Sequence, residues 1–257
     1  MGGVRGRWRR TGREIAGLVL PVACGGCGRP RTVLCEECGR ALYGAGARRV
    51  RPCPEPPGLP VVHAVAPYED AVRAVLLGHK ERGALGLAGA LGGALAVAVR
   101  ASVAGAPAGP GPLLLVPVPS ARGAVRARGH DPGLRIARCA AGELRRAGVP
   151  ARVLAVLRQR RPVSDQAGLS APERAANLAG ALEVSPGGAR LLAGGRAVLV
   201  DDLMTTGASL AEAARALSAI REWPVLVSAQ PRAAVVAAPA LSFGNKPELT
   251  GNLDRCR

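Results

Sequence analysis

Aromatic side chains are almost absent from this 257-residue chain, which has one Phe, two Trp and two Tyr. This scarcity argues against a core built on aromatic rings, such as that of many β-sandwiches. Hydrophobic residues still make up 48% of the chain, and most of them are Ala, Val and Leu. Small aliphatic side chains in this number favour a parallel β-sheet covered by alanine-rich helices.

Lysine is also scarce. Of the 35 basic residues only Lys80 and Lys246 are lysines, and the formal net charge is +17. A basic surface gains affinity for nucleic acid by displacing counterions from phosphates, so single- or double-stranded DNA is a candidate partner. The alternative is a diffuse basicity that follows from a general preference for Arg, Ala, Gly and Pro. The composition leaves both interpretations open.

Long uninterrupted apolar runs are missing as well. The run from Ala84 to Val99 is broken by four glycines and is too short for a membrane span, so we expect none. Arginines before the apolar run 15–23 resemble a signal peptide. However, Pro21 is unsuited to a lipoprotein cleavage site, and Cys24 has a better use in a cysteine pair. We therefore expect a cytoplasmic protein.

Two cysteine pairs lie close together near the start of the chain, Cys24-Gly-Gly-Cys27 and Cys35-Glu-Glu-Cys38. Each pair places two thiolates on one tight turn, and two such turns supply a tetrahedral set for zinc. Two disulfides or free thiols are the alternative, but stable disulfides are rare in the cytoplasm. A closed set of four thiolates leaves no open coordination position. The zinc is therefore expected to be structural.

Apolar strands alternate with helical patterns after a proline-rich stretch at 52–60, which predicts an α/β fold with a parallel sheet. The predicted strands are 61–66, 113–118, 152–157, 197–200 and 225–229. The predicted helices are 69–77, 84–103, 132–147, 171–179 and 209–220, with loops at 120–129 and 158–170. We divide the chain into a basic lead with a zinc module (1–52), the α/β domain (53–240) and a polar tail (241–257).

The most informative stretch follows the predicted strand 197–200. Two carboxylates are followed by a loop that carries hydroxyls and a glycine, and then by a helix: Asp201, Asp202, Leu203, Met204, Thr205, Thr206, Gly207, Ala208 and Ser209. Backbone N–H groups and the dipole at a helix start favour an anion. The acidic pair is placed to hold vicinal ribose hydroxyls or a metal, at the end of a strand where open α/β sheets bind ligands.

This stretch resembles the signature of type I phosphoribosyltransferases, which bind 5-phosphoribosyl 1-pyrophosphate (PRPP). Over roughly 15–235 the chain resembles the ComF/GntX family. The segments that carry this resemblance, besides the loop and the four cysteines, are Leu77–Gly83, Val116–Pro119, Arg126–His130, Gln166–Ser170 and Arg174–Asn177. The resemblance implies a type I phosphoribosyltransferase-like sheet flanked by helices, with a small zinc-ribbon-like module in front.

The resemblance also implies roles for residues outside the loop. The end of the strand at 113–118, with Pro119 and Ser120, would hold the pyrophosphate. Three arginines of the following loop, Arg122, Arg126 and Arg128, would neutralise its charge, although a solvated basic loop is the alternative. Lys80 is expected in a turn between two helices, as a phosphate or pyrophosphate contact. Gln166, Arg174 and Asn177 lie where these enzymes carry a flexible loop, and each could equally be a cap or a surface contact.

The function that this resemblance implies is a Mg²⁺-dependent transfer of the phosphoribosyl group with release of pyrophosphate, a glycosyltransferase reaction. The catalytic residues would be Asp201, Asp202, Lys80 and Arg128. The alternative is a non-catalytic protein that binds PRPP or a nucleotide and acts in DNA uptake or processing, as the competence association of the family suggests. The sequence names no acceptor and leaves the oligomeric state open.

Overall fold

A computed structural model describes residues 22–44, 46–105, 109, 111–163, 170–220 and 232–244. The predicted strand at 225–229, Gln166, the basic lead up to residue 21 and most of the predicted tail lie outside these residues. The described part is an α/β fold, as the apolar pattern predicts, with a mostly parallel sheet of six strands between two layers.

The strands are β1 (Arg48–Val50), β2 (Val61–Pro67), β3 (Leu113–Pro117), β4 (Ala151–Val153), β5 (Leu157–Gln159), β6 (Leu182–Val184), β7 (Arg196–Leu203) and β8 (Arg232–Ala238). The large sheet has the order β1-β2-β8-β7-β3-β4, and only β1 runs antiparallel to its neighbour. β5 and β6 form a separate antiparallel pair. All residues of β3 are buried, as expected for a strand covered on both faces.

The α-helices are α1 (Glu36–Tyr43), α2 (Asp70–Glu81), α3 (Ala88–Val103), α4 (Arg122–Arg128), α5 (Pro132–Arg146), α6 (Ala171–Leu178), α7 (Gly188–Leu192) and α8 (Ala208–Ser218). α2, α3 and α5 pack on one face of the sheet, and α8 packs on the other together with β5 and β6. Short 3₁₀ turns precede α3 and follow β8. The core is aliphatic throughout, in agreement with the scarcity of aromatic residues.

Small side chains allow close contact between the helices. A Cβ atom at Gly92 of α3 would collide with Cys139 of α5, so this glycine is required where the two helices meet.

The stretch Leu85–Val103, which contains α3, is long and apolar enough to cross a membrane by length and composition. More than half of it is buried inside the fold, because it packs on α5 and on the sheet. Its surroundings are those of a core helix.

Several predicted elements differ from the observed ones. The expected loop at 120–129 contains α4, and the expected strand at 152–157 is divided between β4 and β5, which belong to different sheets. The sequence pattern did not indicate β6, α7 or β8. Within the predicted tail, Phe243 is buried and its ring lies 5.2 Å from the guanidinium carbon of Arg48. β1 falls within the segment assigned to the zinc module, yet it pairs with β2.

Candidate functional site

The order of the strands defines a crevice between β3 and β7. These strands are parallel neighbours, with Pro117 opposite Val200. From β3 the chain continues through α4 and α5 to β4, which lies beyond β3 at the edge of the sheet. From β7 it continues through α8 to β8, which lies on the side of β7 away from β3. Connections that leave in opposite directions open a crevice at the carboxyl ends of the two strands, where open α/β sheets bind ligands.

The acidic pair lies on β7 itself, at this end of the strand. Asp202 is buried, with 8% of its side chain exposed, and its backbone N–H donates to Oδ1 of Asp201 at 2.8 Å. Burial, followed by the negative charge of Asp202, raises the pKa of Asp201 well above its usual range. The two carboxylates therefore differ in their surroundings, although they are adjacent in sequence.

Lys80 pairs with the second of these carboxylates. Its Nζ lies 3.0 Å from Oδ2 and 3.3 Å from Oδ1 of Asp202. Burial alone would lower the pKa of Lys80, but the charges of Asp202 and Asp201 outweigh it and raise the pKa. The expected position in a turn is wrong, because Lys80 belongs to the last turn of α2, which extends to Glu81. α2 thus places the ammonium group of Lys80 beside Asp202 of β7.

The hydroxyl-bearing loop joins β7 to α8. Gly207, with φ +78°, precedes the first residue of α8, and the N–H of Ala208 donates to Oγ1 of Thr206 at 3.5 Å. Helix geometry leaves the first N–H groups of α8 without carbonyl partners from the helix itself, so they are available to an anion. The residues that line a small pocket here are Asp201, Leu203, Met204, Thr205, Thr206, Gly207, Ala208, Ser209 and Leu210.

Two residues of the loop have structural roles besides any contact with a ligand. Met204 is buried, and its N–H donates to the carbonyl of Ala237, which anchors the loop to β8. A Cβ atom at Gly207 would lie 2.9 Å from Cδ1 of Leu59. Glycine is therefore favoured at position 207 by its positive φ even in the absence of a phosphate, whereas the contact is with the flexible end of the Leu59 side chain.

The segment that follows β3 forms the opposite side of the crevice. The hydroxyl of Ser120 lies 3.3 Å from Oδ1 of Asp131, and the same oxygen accepts the N–H of Leu134 at the start of α5. Pro119 precedes Ser120 and is half-buried. The segment is thus fixed by the cap of α5, which the sequence analysis did not identify.

The three arginines expected to neutralise pyrophosphate have different surroundings. Arg128 donates from Nε and Nη2 to the carboxylate of Glu81, at 3.0 and 2.8 Å. Arg122 and Arg126 are exposed, and within the described part of the chain no carboxylate oxygen lies within 4.0 Å of either. Arg128 therefore links α4 to the end of α2, whereas the other two are available to solvent or to a ligand.

Arg174 reaches the loop from α6. Its Nη1 donates to Oγ1 of Thr205 at 3.3 Å. Of the three residues assigned to a flexible loop, Arg174 is thus the one whose side chain contacts the hydroxyl loop in the described structure. Asn177 lies one turn further along α6, and its backbone carbonyl accepts from Arg161.

Two histidines, one of them in the last turn of α2, are in contact with each other. The rings of His79 and His130 are 6.0 Å apart in an edge-to-face arrangement. His79 is fully buried, and burial, with a smaller contribution from His130, lowers its pKa. Neither ring is indicated by the sequence pattern, although both histidines lie in segments that carry the family resemblance.

The four cysteines converge as the sequence predicts. The Sγ atoms of Cys24, Cys27, Cys35 and Cys38 all lie within 4.8 Å of one another, so the cluster could hold a metal such as zinc. Four soft sulfur donors at this separation fit the tetrahedral coordination of zinc. Cys27 is exposed and the other three are buried.

Glycines of the first cysteine pair fit the cluster closely. A Cβ atom at Gly26 would lie 2.6 Å from Sγ of Cys38, and one at Gly25 would lie 2.6 Å from the side chain of Leu87 in the main core.

Burial alone would raise the pKa of Cys24, but N–H groups of Cys35, Cys27 and Gly26 lower it to about 6. Burial and the neighbouring thiols raise the pKa of Cys38.

Comparison with known proteins gives no family for this chain, since no family model matches it and a search of curated proteins finds no significant match. The resemblance to the ComF/GntX family is therefore a prediction from the motifs alone. The fold and the four-cysteine cluster stand independently of it, because they follow from the structure.

Proposed function

We propose that the chain binds PRPP in the crevice between β3 and β7. The observation that carries the proposal is the meeting of an acidic pair and a hydroxyl-bearing helix start at the carboxyl end of β7, where the connections of the sheet diverge. A ligand with vicinal hydroxyls next to a phosphate suits this arrangement, because carboxylates accept from hydroxyls and free N–H groups donate to phosphate.

Each part of PRPP has a proposed partner. Asp201 and Asp202 would accept hydrogen bonds from the ribose hydroxyls, and the loop 203–209 would hold the 5′-phosphate. The pyrophosphate would lie toward Pro119 and Ser120, on the side of Lys80. Lys80 is paired with Asp202 at 3.0 Å and is 37% exposed, so its ammonium group can contact both the carboxylate and an incoming anion.

The acidic pair also has the donor chemistry that Mg²⁺ prefers, since carboxylate oxygens are hard ligands. Asp201 is the better candidate to face the ion, because Lys80 already neutralises Asp202. A bound cation would offset the burial and the charge of Asp202, which raise the pKa of Asp201. Bound together with PRPP, Mg²⁺ would neutralise part of the pyrophosphate charge. The protein would supply only part of its coordination, in keeping with the small number of carboxylates at the site.

We propose that the chemistry is a transfer of the phosphoribosyl group. The bond between the anomeric carbon and the pyrophosphate oxygen breaks, the leaving group takes the electron pair, and the acceptor forms a bond at the same carbon. Asp201 and Asp202 would stabilise the positive charge that develops on the sugar, and Lys80 would stabilise the leaving group. Catalysis of this kind depends on position and electrostatics and needs no covalent nucleophile.

The cysteine cluster would hold a structural zinc ion. Four protein ligands complete a tetrahedral site and leave no position for a substrate. Gly25 packs against Leu87, so a metal here would fasten the amino-terminal segment to the core. We further propose that the protein acts in the cytoplasm, where thiolates are retained as metal ligands.

The second candidate is a PRPP- or nucleotide-binding protein without catalysis that acts on DNA. Exposed arginines such as Arg122 and Arg126 beside the crevice favour it, because such residues can neutralise phosphates. DNA affinity would then fall steeply with salt and show little sequence preference, since stacking aromatics are few.

Calorimetric titration of the purified protein with PRPP and Mg²⁺ tests the proposal, and a pyrophosphate-release assay with a panel of nucleobases separates the two candidates. We expect binding that Asp201→Asn weakens about tenfold or more, as for the loss of one charge-assisted hydrogen bond. Glu143→Gln, which removes an exposed carboxylate of α5, is the control and should bind normally. Absence of PRPP binding by the wild type would refute the transferase, and PRPP binding without pyrophosphate release would favour the second candidate.

A further inference from the structure

Arg174 differs from the paired arginines near the site by its lack of a carboxylate partner, and from exposed Arg122 and Arg126 by its shielded Nε. Arg128 is paired with Glu81, Arg158 with Glu183, and Arg215 with Glu212. Arg174 contacts only a hydroxyl, because its Nη1 donates to Thr205 and no carboxylate of the described residues lies within 4.0 Å. Its Nε is shielded from solvent and has no acceptor in the described structure.

A partly buried guanidinium without a counterion is unfavourable, since buried polar groups are normally hydrogen-bonded and buried charges are normally paired. The start of α6, on which Arg174 lies, is fixed by hydrogen bonds. Ser170 and Glu173 form a capping box that fixes the start of α6, and the N–H of Arg174 donates to the carbonyl of Ser170. The helix therefore holds, beside the hydroxyl loop, a guanidinium that has no carboxylate partner among the residues the structure describes.

We infer that Arg174 is a further anion-binding residue of this site and contacts the terminal phosphate monoester of the ligand. The inference rests on the proposed function, since it assigns the 5′-phosphate of PRPP to this guanidinium. An anion that reaches the N–H groups ahead of α8 lies beside Thr205, which Arg174 already contacts. A phosphate there would supply the acceptors that Nε and the rest of the guanidinium lack.

Lys80 and Arg174 would then contact opposite ends of the ligand. Lys80 is bound to Asp202 on β7, whereas Arg174 is bound to Thr205, three residues further along the chain and beyond the end of the strand. Arg174 would serve the monoester end, and Lys80 the pyrophosphate end. Ribose 5-phosphate and inorganic pyrophosphate each represent one end, so the assignment can be tested separately for each.

The experiment is a calorimetric titration of the full-length protein with ribose 5-phosphate and, separately, with pyrophosphate and Mg²⁺. We expect Arg174→Gln to weaken the binding of ribose 5-phosphate about tenfold and to change that of pyrophosphate less than about twofold, because one charge-assisted contact is lost at one end only. Arg174→Lys keeps the charge and should lose only about threefold. Arg138→Gln, on the exposed side of α5, is the matched control and should bind both probes normally.

The outcomes separate the inference from the proposed function. If the wild type binds neither probe nor PRPP, the proposed function is refuted, and the inference with it. If the wild type binds and Arg174→Gln binds equally well, or loses both probes to the same extent, only the inference is overturned. A thermal melt of each variant shows whether it is folded, and a lower midpoint with unchanged ribose 5-phosphate affinity would assign Arg174 a purely structural role.

Discussion

The pair formed by Lys80 and Asp202 is expected to contribute to stability as well as to ligand binding. Two unit charges 3.0 Å apart attract each other by about 5.5 kcal/mol at an effective dielectric constant of about 20, but desolvation offsets most of this energy. Breaking a fully buried pair costs about 3–5 kcal/mol, whereas an exposed pair contributes about 0–1 kcal/mol. Asp202 is buried but Lys80 is 37% exposed. We therefore expect a coupling energy of about 1–2 kcal/mol.

A double-mutant cycle measures this coupling directly. The free energy of unfolding is obtained by urea denaturation for the wild type, Lys80→Met, Asp202→Asn and the double variant, at neutral pH. Lys80→Met alone should destabilise the protein, because it leaves a buried carboxylate without its partner, and the second substitution should restore part of the loss. The pair is coupled as we describe only if the double variant is more stable than the two single effects predict.

Arg146 and Glu143 on α5 provide the matched control. They are also paired, at 2.8 Å, but the arginine side chain is 70% exposed. The same cycle on this pair should give a coupling below about 0.5 kcal/mol. If the coupling between Lys80 and Asp202 is no larger than that of the control pair, burial of Asp202 does not strengthen the interaction, and our account of the acidic pair is wrong.

Three further predictions concern other parts of the molecule. Gly26→Ala should lower the metal content of the purified protein in elemental analysis, because the new methyl group would meet Sγ of Cys38; full metal content would contradict the predicted zinc cluster. His79 has a lowered pKa in the folded state, so its contribution to stability is present above about pH 6.5 and is lost as the pH falls below that value. His79→Phe should therefore lose less free energy of unfolding between pH 7 and pH 5 than the wild type, and an equal loss would count against this reasoning. Gly207→Val should lower the thermal midpoint as well as PRPP affinity, because of the positive φ and the contact with Leu59, and a variant of unchanged stability would show that neither constrains the loop.

The sequence predicted those parts of the fold whose signal is local. β3 and the middle of β7, from Val198 to Val200, are continuous apolar runs, because they are buried on both faces. The pattern does not indicate β8, because four of the seven residues of Arg232–Ala238 are alanines, which are depleted from strands, and only two are valines. The run at 152–157 gave no sign that it would be shared between two sheets, since that division depends on tertiary packing.

The same distinction holds for the candidate site. The acidic pair and the hydroxyl loop lie on one short stretch of sequence, so their order alone indicated an anion site. The pair formed by Lys80 and Asp202 joins residues 122 positions apart, and that of Arg128 and Glu81 joins residues 47 apart. Only the tertiary fold brings residues so far apart in sequence into contact. The sequence therefore predicts a pyrophosphate contact for Arg128 but does not indicate that this arginine is paired with Glu81.

The crevice between β3 and β7 has a consequence for folding kinetics. The two strands are neighbours in the sheet, but β4, β5 and β6 lie between them along the chain. Parallel pairing over such a separation requires a costly loop closure and is slow relative to local helix formation. The site is therefore completed only when the central strands have joined. A ligand that binds there would stabilise only those states in which β3 and β7 are already paired.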